Sequence, residues 1–335
     1  MDPVPTSGHA TGPGGVADAT PGEFRFIERH FLSLAGPAAL GLADDAAVFA
    51  PPPGRELVVS ADAMVQGVHF LPGDSPDSVG RKLLRVNLSD LAAMGAVPLG
   101  YLLTVTLPPD MTDDWFAGFC SGLAADQAEF GLSLLGGDTT STSGPLVLSL
   151  TILGHVAPGA ALRRNGAAAG DGLWVTGSIG DAALGLVVLQ GGLEDPSGHL
   201  AARYRLPLPR VALGQALPGI ATAAMDISDG LLQDCWHVCR QSHVAAVIEA
   251  ALVPLSGAAR EAGPAWRSTC LTGGDDYELL LAVPPANEAA LRAAALACGT
   301  DISRIGHLEA GTCRVRVLDA AGAELDFERR GWSHL

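Results

Sequence analysis

Apolar residues recur along this chain with two different periods. Spacing of three to four predicts helices over Glu23–Leu34, Ser78–Gly95, Thr112–Phe130, Asp181–Gln190, Arg210–Leu217, Gly230–Gln241 and Asn287–Cys298. Thr112, followed by two acids, is a natural N-cap. Alternating or β-branched runs predict strands at Leu57–Ser60, ending at Asp62, and at Leu99–Leu107, Leu146–Val156, Leu173–Thr176, Val244–Glu249, Tyr277–Val283, Ile302–Leu308 and Cys313–Leu318. Residues 1–21 carry neither period. They are rich in Gly, Pro, Ala and Thr and lack a basic start or an apolar stretch, so they read as a disordered tail.

Strands and helices are mixed in both halves, which predicts an α/β (or α+β) protein. A chain of 335 residues is long for one core. The turn-rich passage Pro158–Gly170 is the expected junction, dividing residues 22–157 from residues 158–335. A weak internal echo accompanies this division. Ser89–Asp90 followed by Gly136–Gly137–Asp138 resembles Ser228–Asp229 followed by Gly273–Gly274–Asp275.

The net charge of −16 argues against nucleic acid and anionic membrane as partners. It also means that a phosphorylated ligand needs cations to bridge it to the protein. Lys82 is the only lysine, and Arg81 rather than glycine precedes it, so nucleotide binding through a P-loop is excluded. The six cysteines form no CxxC pair and read as reduced thiols of a cytoplasmic protein. Cys235 and Cys239, with His237 between them, suit the core face of a helix better than a metal site. No apolar run is long and charge-free enough to span a bilayer.

The chemistry is carried by aspartates placed at predicted strand ends and loop mouths. They are Asp44–Asp45, Asp62, Asp90, Asp138, Asp226, Asp229 and Asp275–Asp276. Several abut apolar runs, and a buried carboxylate is expensive without a partner. With one lysine and few arginines near these motifs, the chain lacks countercharges, whereas divalent cations could supply them. Carboxylate oxygens suit Mg²⁺, which combines one or two carboxylates with waters and phosphate oxygens. The glycines at 136–137 and 273–274 would let backbone amides approach a phosphate. For any one aspartate, duty as a cap or turn residue is the simpler reading; for the whole set it is not. Gly177, Gly180 and Asp181 form a strand–turn–helix whose N-terminus could take a phosphate, with Asp181 equally suited to capping. Arg163 and Arg164 could reach a nucleotide or lie solvated on the surface.

Taken in order, GLADDAAV, VVSAD, GVHF, KLLRVNLSDLAAMGAVP, GGDTT, TGSIGDAALGL, DISDGLLQD and GGDDYEL resemble the thiamine-monophosphate kinases. These belong to the aminoimidazole ribonucleotide synthetase superfamily, and the resemblance runs from about residue 22 to the end. It implies a two-domain fold whose N-terminal domain forms a barrel across a homodimer, with ATP and several Mg²⁺ ions in the cleft. It implies transfer of the γ-phosphoryl group of ATP to thiamine monophosphate. By motif position, Asp45, Ser60, Ala61 (through its carbonyl), Asp62, Asp90, Asp138, Asp226 and Asp229 would bind metal. Gly137, Asp138, Arg164 and Ser228 would touch ATP. His69, Asp275 and Trp332 would line the substrate pocket. Ala43, Ala61 and Asp275 depart from the family's frequent Gly, Thr and Glu. Other ATP-using superfamily members are the nearest rivals. Selenophosphate synthetase would want a reactive cysteine near the N-terminus, and the hydrogenase maturation factor a C-terminal cysteine motif; this chain has neither. A non-catalytic metal- and nucleotide-binding protein is the rival of another class.

Overall fold

Alternation along the strands divides the interior into two large cores beside a small third cluster, and one helix lies within the first core, between the two sheets. The computed structural model describes residues 22–332, so the expected tail over 1–21 lies outside the described residues. The N-terminal half builds a four-stranded sheet from β1 (Glu56–Val65), β2 (Val97–Leu107), β3 (Ser133–Ser141) and β4 (Val147–Val156), in the order β1-β4-β2-β3. β4 runs antiparallel to both neighbours, and β2 and β3 are parallel. The C-terminal half builds a seven-stranded sheet from β5 (Gly172–Thr176), β6 (Ala223–Ile227), β7 (Val244–Glu249), β8 (Glu278–Val283), β9 (Ile302–Ala310), β10 (Val315–Leu318) and β11 (Glu324–Leu325), in the order β11-β10-β7-β9-β5-β8-β6.

The helices are α1 (Gly22–His30), α2 (Pro76–Ala93), α3 (Asp113–Phe130), α4 (Asp181–Leu189), α5 (His199–Arg205), α6 (Val211–Ala216), α7 (Leu231–Ser242), α8 (Gly257–Ala262), α9 (Arg267–Thr272) and α10 (Glu288–Ala297). Thr112 caps α3 as expected, accepting the Trp115 N–H at 3.2 Å. Several aspartates sit differently from expectation. β1 continues past Asp62 to Val65, and Asp138 stands inside β3, a strand too rich in glycine and threonine to show apolar alternation. The short strand β6, holding Asp226, and the short helix α5 were equally illegible.

α2 is the centre of the molecule. Buried residues appear on every side of it, from Val79 to Ala93, including Lys82, Arg85, Asn87 and Ser89. One side meets the inward residues of the first sheet, Val58, Leu103, Val105, Leu150 and Ile152. The same core includes Ala224, Leu279, Leu281 and Trp174 of the second sheet. The alternate residues Met225, Ile227, Leu280, Ala282, Leu173 and Val175 face α7 in a second core, as the two-residue period of a strand requires. α2 and α3 approach closely because both carry glycine at the crossing. A Cβ on Gly80 would lie 2.4 Å from the Phe119 carbonyl, and one on Gly122 would lie 2.2 Å from the Asp77 carbonyl.

The buried charges of α2 are paired. Arg85 donates to Asp126 at 2.6 and 3.0 Å and to the Pro207 carbonyl at 3.0 Å. Both side chains are almost fully buried, and without Arg85 the Asp126 carboxylate keeps Arg81 as its one ion-pair partner among the described residues. Arg85→Ala is expected to lower stability by about 2 kcal/mol, through the lost charged hydrogen bonds. The double change Arg85→Met with Asp126→Leu should recover most of that loss. Thermal and urea melts check this; a double variant no better than Arg85→Ala would show that the cost lies in packing, not charge.

Candidate functional site

Ser60 and Asp62 lie on the same face of β1 as the buried Val58 and Met64, because alternate residues of a strand share a face. That face meets α2. The Ser60 hydroxyl donates to Asp90 Oδ2 at 2.5 Å, and the Asp62 N–H donates to Asn87 Oδ1 at 3.2 Å. Asn87 is itself fixed by donating to the Leu83 carbonyl at 2.9 Å. Ser89 turns toward the other sheet and donates to Asp226 Oδ2 at 2.9 Å. Consecutive polar residues of one helix therefore reach strands of different sheets.

Ser60, Asp90, Arg164 and Asp226 line one cleft between the two halves, a cavity of about 400 Å³. Burial pushes the Asp62 carboxyl up to about 6, with the charges of Asp90 and Asp229 adding to the rise. Burial raises Asp226 to about 7, aided by Asp90 and Asp62 and opposed by the Ser89 hydrogen bond and Arg164. Asp90 is raised as well by burial, against the pull of Ser60 and Arg164. Asp229 belongs to this electrostatic group through its effect on Asp62. Its loop is shaped by Asp234 Oδ2, which accepts the N–H groups of Ser228, Asp229 and Gly230 at 3.0–3.1 Å.

The expected substrate residues do not line this cavity but are tied by hydrogen bonds to the segments that carry the carboxylates. The Trp332 N–H donates to the Asp229 carbonyl at 2.9 Å, tying the chain's C-terminal part to the same loop. The Asp275 N–H donates to the Ser228 carbonyl at 2.8 Å. His69 Nδ1 accepts the Val65 N–H at 3.0 Å, and its carbonyl accepts from Lys82 at 3.0 Å. Tyr277 is partly buried, with its hydroxyl 3.4 Å from Asp275 Oδ1. Burial raises its hydroxyl well above the usual value, and Asp275, Asp62, Asp226 and Asp90 add to the rise.

The remaining candidates lie apart. Asp45, Gly137 and Asp138 line a larger cavity of about 690 Å³, together with Leu102, Thr104, Thr151 and Leu153 on the face of the first sheet turned away from α2. Ala61 pairs with Thr151 and is exposed, one residue out of phase with Ser60 and Asp62. Its methyl group therefore points away from Asp90, and only its backbone could serve a ligand. Gly137 has a packing reason to be glycine, since a Cβ there would lie 1.7 Å from the Leu103 carbonyl.

Two expectations need correction. The N-terminus of α4 is already filled, because Asp276 accepts the Gly180 and Ala182 N–H groups at 2.6 and 3.3 Å. Asp181 accepts from Ser178 and Ser256 at 2.5 and 2.6 Å and pairs with His199 at 2.9 Å. That turn is structural. The chain also supplies more partners than its composition promised, since Lys82 pairs with Asp275 at 2.9 Å. Asp62, Asp90 and Asp226 make no such ion pair among the described residues; Ser60 and Ser89 donate to the last two, with Arg164 nearby. Sequence reasoning passed over Asn87, Ser89, Asp234 and Tyr277. The signal was present in the polar letters that interrupt KLLRVNLSDLAAMGA and in the spacing of DISDGLLQD.

These oxygen donors suit a hard cation. Among the described residues, no three histidine, cysteine or carboxylate groups close around one point tightly enough to hold an ion by themselves. The donor set therefore fits Mg²⁺ completed by water and phosphate oxygens, its usual mode of binding.

Residues 43–156 match AIR synthase related protein, N-terminal domain, and residues 168–318 match its C-terminal domain. Thiamine-monophosphate kinase of Caulobacter vibrioides is 44% identical over 330 residues, covering 95% of this chain and 92% of that protein. The crystal structure of thiamine-monophosphate kinase from Stenotrophomonas maltophilia K279a superposes with a TM-score of 0.77 at 41% identity, covering 82% of this chain and 89% of that one. AaThiL complexed with AMPPCP and TMP superposes with a TM-score of 0.74 at 29% identity, covering 87% and 91% of the two chains.

The raised carboxyls make a prediction about pH. Each folded value lies above the unfolded value near 3.8. Between these values the folded chain keeps protons that the unfolded chain has released. The contribution of these groups to stability is thus most favourable below the unfolded value and declines as pH rises through about 6 for Asp62 and about 7 for Asp226. Asp226→Asn removes one such group. In buffer with EDTA its melting temperature should fall less steeply than the parent's between about pH 4 and about pH 7. An unchanged slope would mean that Asp226 is ionised across that range.

Proposed function

The chain belongs to the family of AIR synthase related proteins and, within it, to the thiamine-monophosphate kinases, and on that premise we propose that its interdomain cleft moves the γ-phosphoryl group of ATP onto the phosphate of thiamine monophosphate, giving thiamine diphosphate and ADP. The observation that carries the assignment to this cleft is the gathering of Asp62, Asp90 and Asp226 from two sheets and a shared helix, with serine hydroxyls on the last two but, among the described residues, no ion pair to balance them.

An oxygen of the acceptor phosphate attacks the γ-phosphorus while the bond from that phosphorus to the β,γ-bridging oxygen breaks. The attacking oxygen is already anionic near neutral pH, so we assign no general base and favour direct in-line transfer. Such transfers depend on positioning and electrostatics more than on covalent work by the protein. When bound, Mg²⁺ supplies charge neutralisation for the converging phosphates.

Asp45, Ser60, Ala61 through its carbonyl, Asp62, Asp90, Asp138, Asp226 and Asp229 would hold several Mg²⁺ ions. Gly137, Asp138, Arg164 and Ser228 would bind ATP. His69, Asp275 and Trp332 would orient the acceptor. Ser60 and Ser89 steer the Asp90 and Asp226 carboxylates by donating to one oxygen of each. Asp234 holds the Asp229 loop in shape.

We assign the division between a nucleotide-binding N-terminal part, residues 22–157, and a C-terminal part, residues 158–335, that completes the site. The outer face of the first sheet supports a homodimer: Leu57, Val59 and Leu102 are 47%, 59% and 41% exposed there, and β1 is an edge strand. A second copy covering this face would close the barrel. The six unpaired cysteines support a reducing, cytoplasmic location, and no helix among the described residues is long and apolar enough to cross a membrane.

Purified protein with ATP, Mg²⁺ and thiamine monophosphate should form thiamine diphosphate; no product in that assay would overturn the assignment. Asp90→Asn should lose roughly 100-fold or more in kcat while keeping the parent's melting temperature within a few degrees. ATP with Mg²⁺ should raise the parent's melting temperature through binding to the folded state, and that rise should shrink in Asp90→Asn. Full activity in the variant would remove Asp90 from the site.

A further inference from the structure

Lys82 is the chain's only lysine and is only 2% exposed. Its ammonium donates to Asp275 Oδ2 at 2.9 Å and to the His69 carbonyl at 3.0 Å. The Tyr204 ring lies beneath it, 3.9 Å from nitrogen to ring centre, close enough for a cation–π contact. The Tyr204 hydroxyl makes a long contact of 3.4 Å to the same His69 carbonyl. One buried cation thus gathers α2, the loop after β1, α5 and the loop before β8. The first two come from one half of the molecule and the last two from the other.

Asp275 is held in an unusual way. Its φ is +72°, a conformation rare for a residue with a side chain. Its N–H is tied to Ser228, and its second oxygen, Oδ1, faces the Tyr277 hydroxyl at a long 3.4 Å. The carboxylate stands beside a cleft in which Asp62, Asp90 and Asp226 would attract cations. Without its own counter-ion it would become another ligand for them.

We propose that Lys82 is a positioning residue for the acceptor: by neutralising Asp275 and holding the His69 carbonyl, it keeps the acceptor end of the cleft separate from the cation-binding end. The inference rests on the assignment of this cleft to thiamine monophosphate phosphorylation. It concerns a residue that acts through Asp275 and His69, not on the reacting atoms. An ammonium suits the place better than a guanidinium, because a compact charge can point separate donors at two oxygens and face a ring.

The test is a pairwise cycle of Lys82→Met, Asp275→Asn and the double variant, assayed with the full chain, with melting curves as a check on folding. Lys82→Met should raise KM for thiamine monophosphate about tenfold, a loss of about 1.4 kcal/mol of binding, and leave KM for ATP within about twofold. The double variant should be no worse than the poorer single variant, because the two residues act as one unit. Lys82→Arg should not restore the acceptor KM. Equal rises in both KM values, multiplying effects in the double variant, or full rescue by arginine would each overturn the proposal. Calorimetric titration with thiamine monophosphate gives the same comparison without turnover. An inactive parent would instead overturn the cleft's assigned reaction, so the two failures are distinguishable.

Discussion

Like charges crowded into a poorly solvated seam are the constraint on which the rest of this structure depends. Burial raises Asp62, Asp90 and Asp226, Asp90 adds to the rise of the other two, and Asp62 adds to that of Asp226. Hydroxyl partners orient Asp90 and Asp226, but they do not cancel their charge. A protein that needed only stability would have replaced them, since buried uncompensated charge opposes folding. Their presence makes sense where folding must leave a place for external positive charge.

Keeping those carboxylates apart from one another, yet near a common cleft, falls to α2. A helix sends successive side chains around its axis, so neighbouring residues can serve opposite walls. Asn87 and Asp90 meet β1, Ser89 meets β6, and Lys82 reaches the loop before β8. Arg85 looks toward α3 and the Pro207 carbonyl. Because all of these interactions radiate from one rigid element buried in a single core, the site's two walls cannot shift independently of it. The cost is a helix with almost no solvated face, which is why glycines are needed at its crossing with α3.

Periodicity made most of the fold legible. The long strands β2 and β4 and the helices α2 and α3 were readable to within two residues, because each is a long run of regularly spaced apolar positions. β3 was not, since Gly136, Gly137, Asp138 and Thr139 show no apolar alternation. It is specified by pairing with β2 and by the room a missing Cβ leaves at Gly137. The candidate site was legible as a set of motifs, but its grouping was not. Asp226 and Asp90 are far apart along the chain, and only the packing of β6 against α2 brings them to one cleft.

Aspartate has several fates in this molecule, and they differ by partner rather than by neighbouring sequence. Asp126 is neutralised by Arg81 and Arg85. Asp276 faces two N–H groups at the start of α4, where burial still raises its carboxyl to about 8. Asp275, the next residue back, takes the lone lysine. Two adjacent letters in GGDDYEL therefore do opposite things, one turned inward to a helix and the other outward to the cleft. The backbone accounts for the divergence: positive φ at Asp275 and Tyr277 twists the segment. Asp62, Asp90 and Asp226 have no ion pair among the described residues, and only serine hydroxyls meet the last two. Telling these fates apart needs coordinates, because a motif records which residue is present but not which charge it has already met.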